Sequence, residues 1–277
     1  MFEAGINRVS KAMDRASVSS LEIAERASAA TQIIASLEYL SLKSERELGG
    51  LNNWEHVQYQ SPPAQTPVGK LFRQALAKEN VYRTIHIARI GAAVVLISSV
   101  RGNKKRAAAN AFLSATTALL YPMQLYGTDG SDQLSFVIHS AAGIGRVGGT
   151  DISRRAASDF IGAQTTLSYV AGGLTKLPGK DWRSGDALSK IMRTETYGDA
   201  GLSHFLQENP WAGRFGSKVA LVWEISFPIL MMRRSTALVV LAAGTVFHAF
   251  NARTMGLWRF APPFIASYPA VWRLFHR

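Results

Sequence analysis

The sequence contains no cysteine. That excludes a disulfide framework, a thiolate metal site and a cysteine nucleophile. Its six histidines form no H-x-x-x-H or H-E-x-x-H pair, so a zinc site has no support and no metal is expected. The first twenty residues, MFEAGINRVSKAMDRASVSS, lack a compact apolar core followed by a small-residue cleavage site, so no standard signal peptide is expected and insertion would rely on internal helices. No internal repeat, low-complexity tract or coiled-coil heptad is present. Acidic residues are sparse too, 19 against 31 lysines and arginines, for a net charge of +12.

A basic chain can signal nucleic acid. Here the cations do not line one helix face; they cluster between apolar runs, as the positive-inside rule expects of cytoplasmic loops. Nucleic acid is therefore set aside in favour of the lipid bilayer. The mean hydropathy of +0.04 hides this, because it averages a polar first 80 residues with an apolar remainder. Runs suited to crossing a bilayer lie at 85–100, 107–125, 134–149, 156–174, 219–232, 236–250 and 257–274. An eighth segment, 24–42 (AERASAATQIIASLEYLSL), is too polar for hydropathy alone to separate from a soluble amphipathic helix.

Loop charge decides its reading. RGNKKR (101–106), RVGGTDISRR (146–155), MMRR (231–234) and the tail RLFHR (273–277) are basic, whereas YGTDGSD (126–132) and NARTMG (251–256) are acidic or nearly neutral. Basic and non-basic connections alternate from residue 101 onward. For the basic N-terminus (Arg8, Lys11, Arg15) to share a side with RGNKKR, two crossings must lie between them. The sequence thus predicts an all-α polytopic transmembrane bundle of about eight helices in the cell membrane, with both termini cytoplasmic. Residues 1–23 form a cytoplasmic segment, and residues 24–277 form the membrane domain. Its long outer loops are 43–82, with the proline-rich break SPPAQTP, and 176–218, with an amphipathic stretch at 185–193 suited to the membrane surface.

GIGRVG (143–148) matches G-x-G-x-x-G. A dinucleotide site needs that pattern between a strand and a helix. Here it closes an apolar segment and leads into a basic loop, so close helix contact through small residues is the better reading. The most distinctive stretch is SYVAGGLTKLPGKDWRSGDAL (168–188). A lysine ending an apolar helix is commonly a snorkelling anchor. Lys176, however, follows a tyrosine and paired glycines and precedes a tryptophan and a glycine. A partly desolvated lysine can lose its proton and serve as a base. Both readings stay open. His139, mid-helix, reads as a core hydrogen-bonder, and Asp129 and Asp132 can equally cap a turn.

The run GGLTKLPGKDWRSG resembles the G-x-x-K-L-x-x-x-W-x-x-G signature of vitamin K-dependent γ-carboxylase and its bacterial relatives, the horizontally transferred transmembrane (HTTM) domain proteins. FHAFNARTMGLWRFAPPFIASYPAVW (247–272) and WEISFPILM (223–231) are similar to that family's late helices. The resemblance covers roughly residue 82 to the C-terminus. Among small bacterial members the chain looks most like the sporulation-delaying protein B group, implied in producing a secreted peptide toxin. Where the carboxylases carry a histidine- and asparagine-rich block, this chain reads YPMQLYGTDGSDQL. The resemblance implies a membrane enzyme of γ-carboxylase type that modifies or matures a secreted peptide at the outer face, alongside a second maturation protein. It implies Lys176 as the base and a vitamin K-like quinol as cofactor. Glu224 and His248 are expected to tune the lysine, and Gln124, Asp129, Trp182 and Asn251 to contact substrate at the same outer helix ends. The alternative is a non-catalytic membrane scaffold or partner-binding subunit, docking through 1–23 and 43–82.

Overall fold

In a computed structural model, residues 2–60, 66–98, 102–124 and 128–276 are described, and they are helical with no strand among them. Every apolar run, and the polar eighth segment, corresponds to a helix. These are α2 (Ser20–Ser41), α5 (Glu79–Ile97), α6 (Asn103–Leu120), α7 (Gly130–Val147), α8 (Asp151–Lys176), α12 (Pro210–Met231), α13 (Arg234–Met255) and α14 (Ala261–Phe275). The expected N-terminal segment is itself a helix, α1 (Phe2–Val18).

The polar connections hold short helices: α3 (Trp54–Val57), α4 (Pro67–Ala77), α9 (Lys180–Ser184), α10 (Ala187–Ile191) and α11 (Ala200–Glu208). The expected surface stretch at 185–193 thus contains α10. Residues 61–65 of the proline-rich break lie outside the described residues, as do 99–101 and 125–127 in the loops flanking α6.

Several helices run beyond their apolar stretches because local chemistry sets their ends. Pro210 occupies the first turn of α12, where a missing N–H costs nothing, so the helix starts nine residues before the apolar run at 219. The outer loop expected over 176–218 shortens accordingly. Helix α13 continues through NARTM to Gly256, whose φ of 70° is a left-handed stop. The N-cap Asp129 accepts from the Ser131 N–H at 2.7 Å, while Asp132 accepts from the Asp129 N–H at 3.1 Å. This reciprocal capping box starts α7.

The chain divides into two compact units, Leu21–Ser158 and Met1–Ser20 with Asp159–Arg277. In the first, α6 packs against α5 and α7. GIGRVG lies at the end of α7, and no strand precedes it. A Cβ on Gly145 would stand 2.7 Å from Ala157 Cβ, and one on Gly148 would stand 2.7 Å from Ser153 Cβ. The glycines are there for close helix packing. The interior is polar in places: Glu25, fully buried, accepts from Arg106 Nη2 at 2.8 Å, from Arg146 Nε at 2.9 Å and from Asn110. His139 lies between Ser28 Oγ at 3.0 Å and Asn110 Oδ1 at 2.8 Å, as a core hydrogen-bonder.

In the second unit α14 packs against α1 and α13, and α13 against α12. Gly162 admits the backbone of α14, since a Cβ there would meet Ala270 O at 2.5 Å. Two helices, α5 and α13, are long and apolar enough to cross a membrane by length and composition. Their apolar windows are only 28% and 33% buried, with Ile87, Val94, Val239 and Val246 more than half exposed. A core helix of a water-soluble domain hides its apolar surface, and these two leave most of it uncovered.

Candidate functional site

Lys176 ends α8, and Glu224 lies mid-way along α12. The ammonium donates to both carboxylate oxygens, at 2.6 and 2.5 Å. The paired glycines before the lysine make this contact possible. A Cβ on Gly173 would stand 2.6 Å from Ile225 Cγ1 and 3.1 Å from Glu224 Cβ, and one on Gly172 would touch the Glu224 carboxylate and the Lys176 ammonium at 3.7 Å. A side chain at Gly173 would push the helices apart, whereas a methyl at Gly172 would lie in ordinary contact. Glu224 is buried, while Lys176 keeps a quarter of its side chain exposed. The indole of Trp182, in α9, lies 5.2 Å from Nζ, within cation–π range. The lysine therefore has a buried acid on one side, an aromatic face on another, and an accessible edge.

Two helical turns back along α8, Tyr169 shares the Lys176 face. Its hydroxyl is 2.7 Å from His248 Nε2 in α13 and 3.0 Å from the Tyr268 hydroxyl in α14. Gly244, one turn before His248, admits this group: a Cβ there would meet Tyr268 Oη at 2.3 Å and Trp223 Cζ2 at 2.9 Å. Trp223, Phe227, Phe247, Phe260 and Phe264 surround it, with ring centroids 4.4–5.9 Å apart. Two buried polar atoms in the cluster, His248 Nδ1 and Trp223 Nε1, have no hydrogen-bond partner. Asn251, one turn beyond His248 on α13, is half-buried.

Four of the expected residues thus assemble in two neighbouring groups of this unit, Lys176–Glu224–Trp182 and Tyr169–His248–Tyr268. Gln124 and Asp129 belong to the other unit. Gln124 Nε2 lies 2.9 Å from the Tyr82 hydroxyl and 3.0 Å from His86 Nε2. Asp129 is spent on capping α7. Tyr268 and Trp223 carry no distinguishing pattern of their own in the sequence. Their common signal is Gly244, a glycine inside an apolar helix that makes room for both.

The expected quinol finds no place among these residues. It would need a slot between rings beside the lysine. The rings under Lys176 are instead packed on one another, Tyr169 on Phe227 at 4.4 Å and His248 on Phe264 at 4.7 Å. The residues present do not fit that group. Among the described residues no group of histidines and acids could hold a metal ion. No family model, curated protein or solved structure matches the chain.

Proposed function

We propose that the chain is a multi-pass membrane protein of eight spans, α2, α5, α6, α7, α8, α12, α13 and α14. On this reading it acts on a secreted or membrane-bound peptide at its outer face, with Lys176 as the proton-handling group. The pair Lys176–Glu224, held by Gly172 and Gly173, carries the proposal. Ionisable residues at membrane depth are costly and tend to mark function. A structural anchor would need only a lysine that reaches the headgroups, and this one is turned onto a buried acid.

Support for the topology comes from within one unit. Arg234, at the start of α13, donates to Asp14 of α1 at 2.7 and 3.0 Å, and the Trp272 indole N–H of α14 donates to the same carboxylate at 2.9 Å. The N-terminal helix, the basic turn MMRR and the end of the last helix therefore gather together, as a shared cytoplasmic side requires. Lys176, at the opposite end of α8 from the basic loop 146–155, falls on the outer side.

Chemically, an ammonium donating to a carboxylate is not a base. Transfer of one proton from Nζ to Glu224 leaves a neutral amine beside a carboxylic acid. The amine can then take a proton from a substrate held against the exposed edge of Lys176 under Trp182. Tyr169, two turns before Lys176 on α8, is tied to His248 of α13 and Tyr268 of α14.

Two substitutions separate base from anchor. Lys176→Arg keeps the cation and its pairing with Glu224 but cannot give up a proton. Peptides secreted by cells producing the wild-type chain, Lys176→Arg, Lys176→Ala or no chain are compared by mass spectrometry at matched membrane levels. A product that depends on the wild-type chain is expected to fall at least about a hundredfold in both variants. Full product from Lys176→Arg would reduce the lysine to an anchor and overturn the proposal.

A further inference from the structure

Helix α1 packs against α13 and α14 within one compact unit. Ser10 and Asp14 form its inner side. Arg234 Nη1 donates to Ser10 Oγ at 3.2 Å and to the Asp14 carboxylate at 2.7 Å, and the Trp272 indole N–H donates to the same carboxylate at 2.9 Å. Arg234 is the first residue of α13, and Trp272 stands in the last turn of α14. Helix α1 therefore lies across the ends of two proposed spans, on the cytoplasmic side and at the depth of the lipid headgroups.

The outer side of α1 is basic. Arg8, Lys11 and Arg15 are all exposed. Successive residues of a helix are turned by about 100°, so these three fall within an arc of about 60°. That arc points away from the buried Ser10. Arg233, exposed beside Arg234, adds a fourth cation. Of the two acids in α1, Asp14 is taken up by Arg234, and Glu3 belongs to the first turn, before the stripe begins. Among the described residues none of the four cations has an ion-pair or hydrogen-bond partner. Arg273 of α14, by contrast, is matched by Asp159 at 3.0 Å. The stripe from Arg8 to Arg15 runs for about 10 Å along the helix, a length suited to several headgroups and not to one small anion. Basic clusters of this kind on an amphipathic helix at the cytoplasmic end of a span attract anionic lipid.

We infer that α1 binds the headgroups of anionic phospholipids in the cytoplasmic leaflet through Arg8, Lys11, Arg15 and Arg233. The inference rests on the membrane topology proposed above and is independent of the chemistry of Lys176.

The test is titration of the full chain, purified in a nonionic detergent, with dioctanoylphosphatidylglycerol and dioctanoylphosphatidylcholine. The anionic lipid is expected to bind at least about tenfold tighter at low salt. Because the cations are exposed, that preference should shrink steeply toward about 1 M salt. Each cation contributes about fivefold, so Arg8→Gln, Lys11→Gln and Arg15→Gln together should bring the two lipids within about twofold. Arg8→Lys with Arg15→Lys should keep the preference, since a point charge suffices. Lys104→Gln with Lys105→Gln, in the basic loop of the other unit, should keep it as well. Equal affinity for the two lipids, a preference that survives loss of the three α1 cations, or an equal loss in the loop variant would each overturn the inference. So would a single-stranded oligonucleotide that displaces the lipid at a lower concentration than the lipid itself. Cell fractionation keeps the two readings apart. A chain in the soluble fraction would sink the topology along with this inference, whereas a membrane-bound chain without lipid preference would sink this inference alone.

Discussion

Lys176 and Glu224 lie 48 positions apart in sequence and meet because two glycines let their helices touch. Gly173→Val is expected to separate α8 from α12 and break the ion pair. Since a branched side chain there would collide with Ile225 and Glu224, a loss of about 1–3 kcal/mol follows from overpacking. Thermal unfolding of the purified protein measures it, and an unchanged melting temperature would mean that the helices do not approach as closely as described. A second buried charge offers a sharper case. Glu25→Gln leaves Arg106 and Arg146 facing each other without their shared acid. The expected cost is about 3–5 kcal/mol, far above the contribution of an exposed pair. The lysine and its glycines were legible in the sequence because their types and spacing are unusual. Glu25 was not: within AERASAATQII it reads as one more polar residue, and its role depends on arginines 81 and 121 positions away. Tyr268 was hidden for the same reason, since long-range pairing leaves no local pattern.

At the scale of elements, the helices were legible and their ends were not. Apolar runs mark the stretch a helix buries or presents to lipid, whereas its ends follow capping chemistry. Pro210, Gly256 and the Asp129–Asp132 box moved boundaries by several residues. The N-terminal helix α1 was missed because a basic, mixed-polarity segment gives no span signal. Its partner contacts nevertheless predict a pH effect. The Arg234 guanidinium, with help from the Trp272 N–H, holds the Asp14 carboxyl below the usual aspartate range. A depressed acid contributes stability above its unfolded pKa, and the contribution is lost as pH falls through the folded value. The docking of α1 should therefore hold at neutral pH and weaken below about pH 4. Both groups are over two-fifths exposed, so the contribution is at most about 1 kcal/mol. Limited proteolysis of α1 against pH checks this, and Asp14→Asn should show the acid-state cleavage already at pH 7. Equal resistance of the variant would remove Asp14 from the account.

For the molecule as a whole, composition misleads while charge distribution informs. An average hydropathy near zero conceals helices whose apolar sides stay uncovered, such as Ile144 and Val147 on α7 and Ile229 on α12. Apolar surface of that kind suits contact with lipid or a partner. The alternation of basic and non-basic loops is what the proposed topology rests on. Among the described residues the structure itself shows the helical class and two helices long and apolar enough to cross a membrane; of the other proposed spans, α14 is only 15 residues long, and helices such as α2 and α12 carry buried ionisable residues, Glu25 and Glu224. The division into two units was not legible at all; α8 runs across the boundary at residue 158, and nothing in its sequence marks the change of partners.

The absence of cysteine makes the decisive measurement direct. Single cysteines placed at the exposed positions Lys104 and Lys180 require no prior substitution of the chain. Labelling intact cells with a membrane-impermeant maleimide is predicted to modify Lys180→Cys, four residues beyond Lys176, and to leave Lys104→Cys untouched until the cells are opened. Labelling of Lys104→Cys in intact cells with Lys180→Cys protected, or recovery of the chain in the soluble fraction, would contradict the placement of the Lys176–Glu224 pair at the outer face of a membrane bundle.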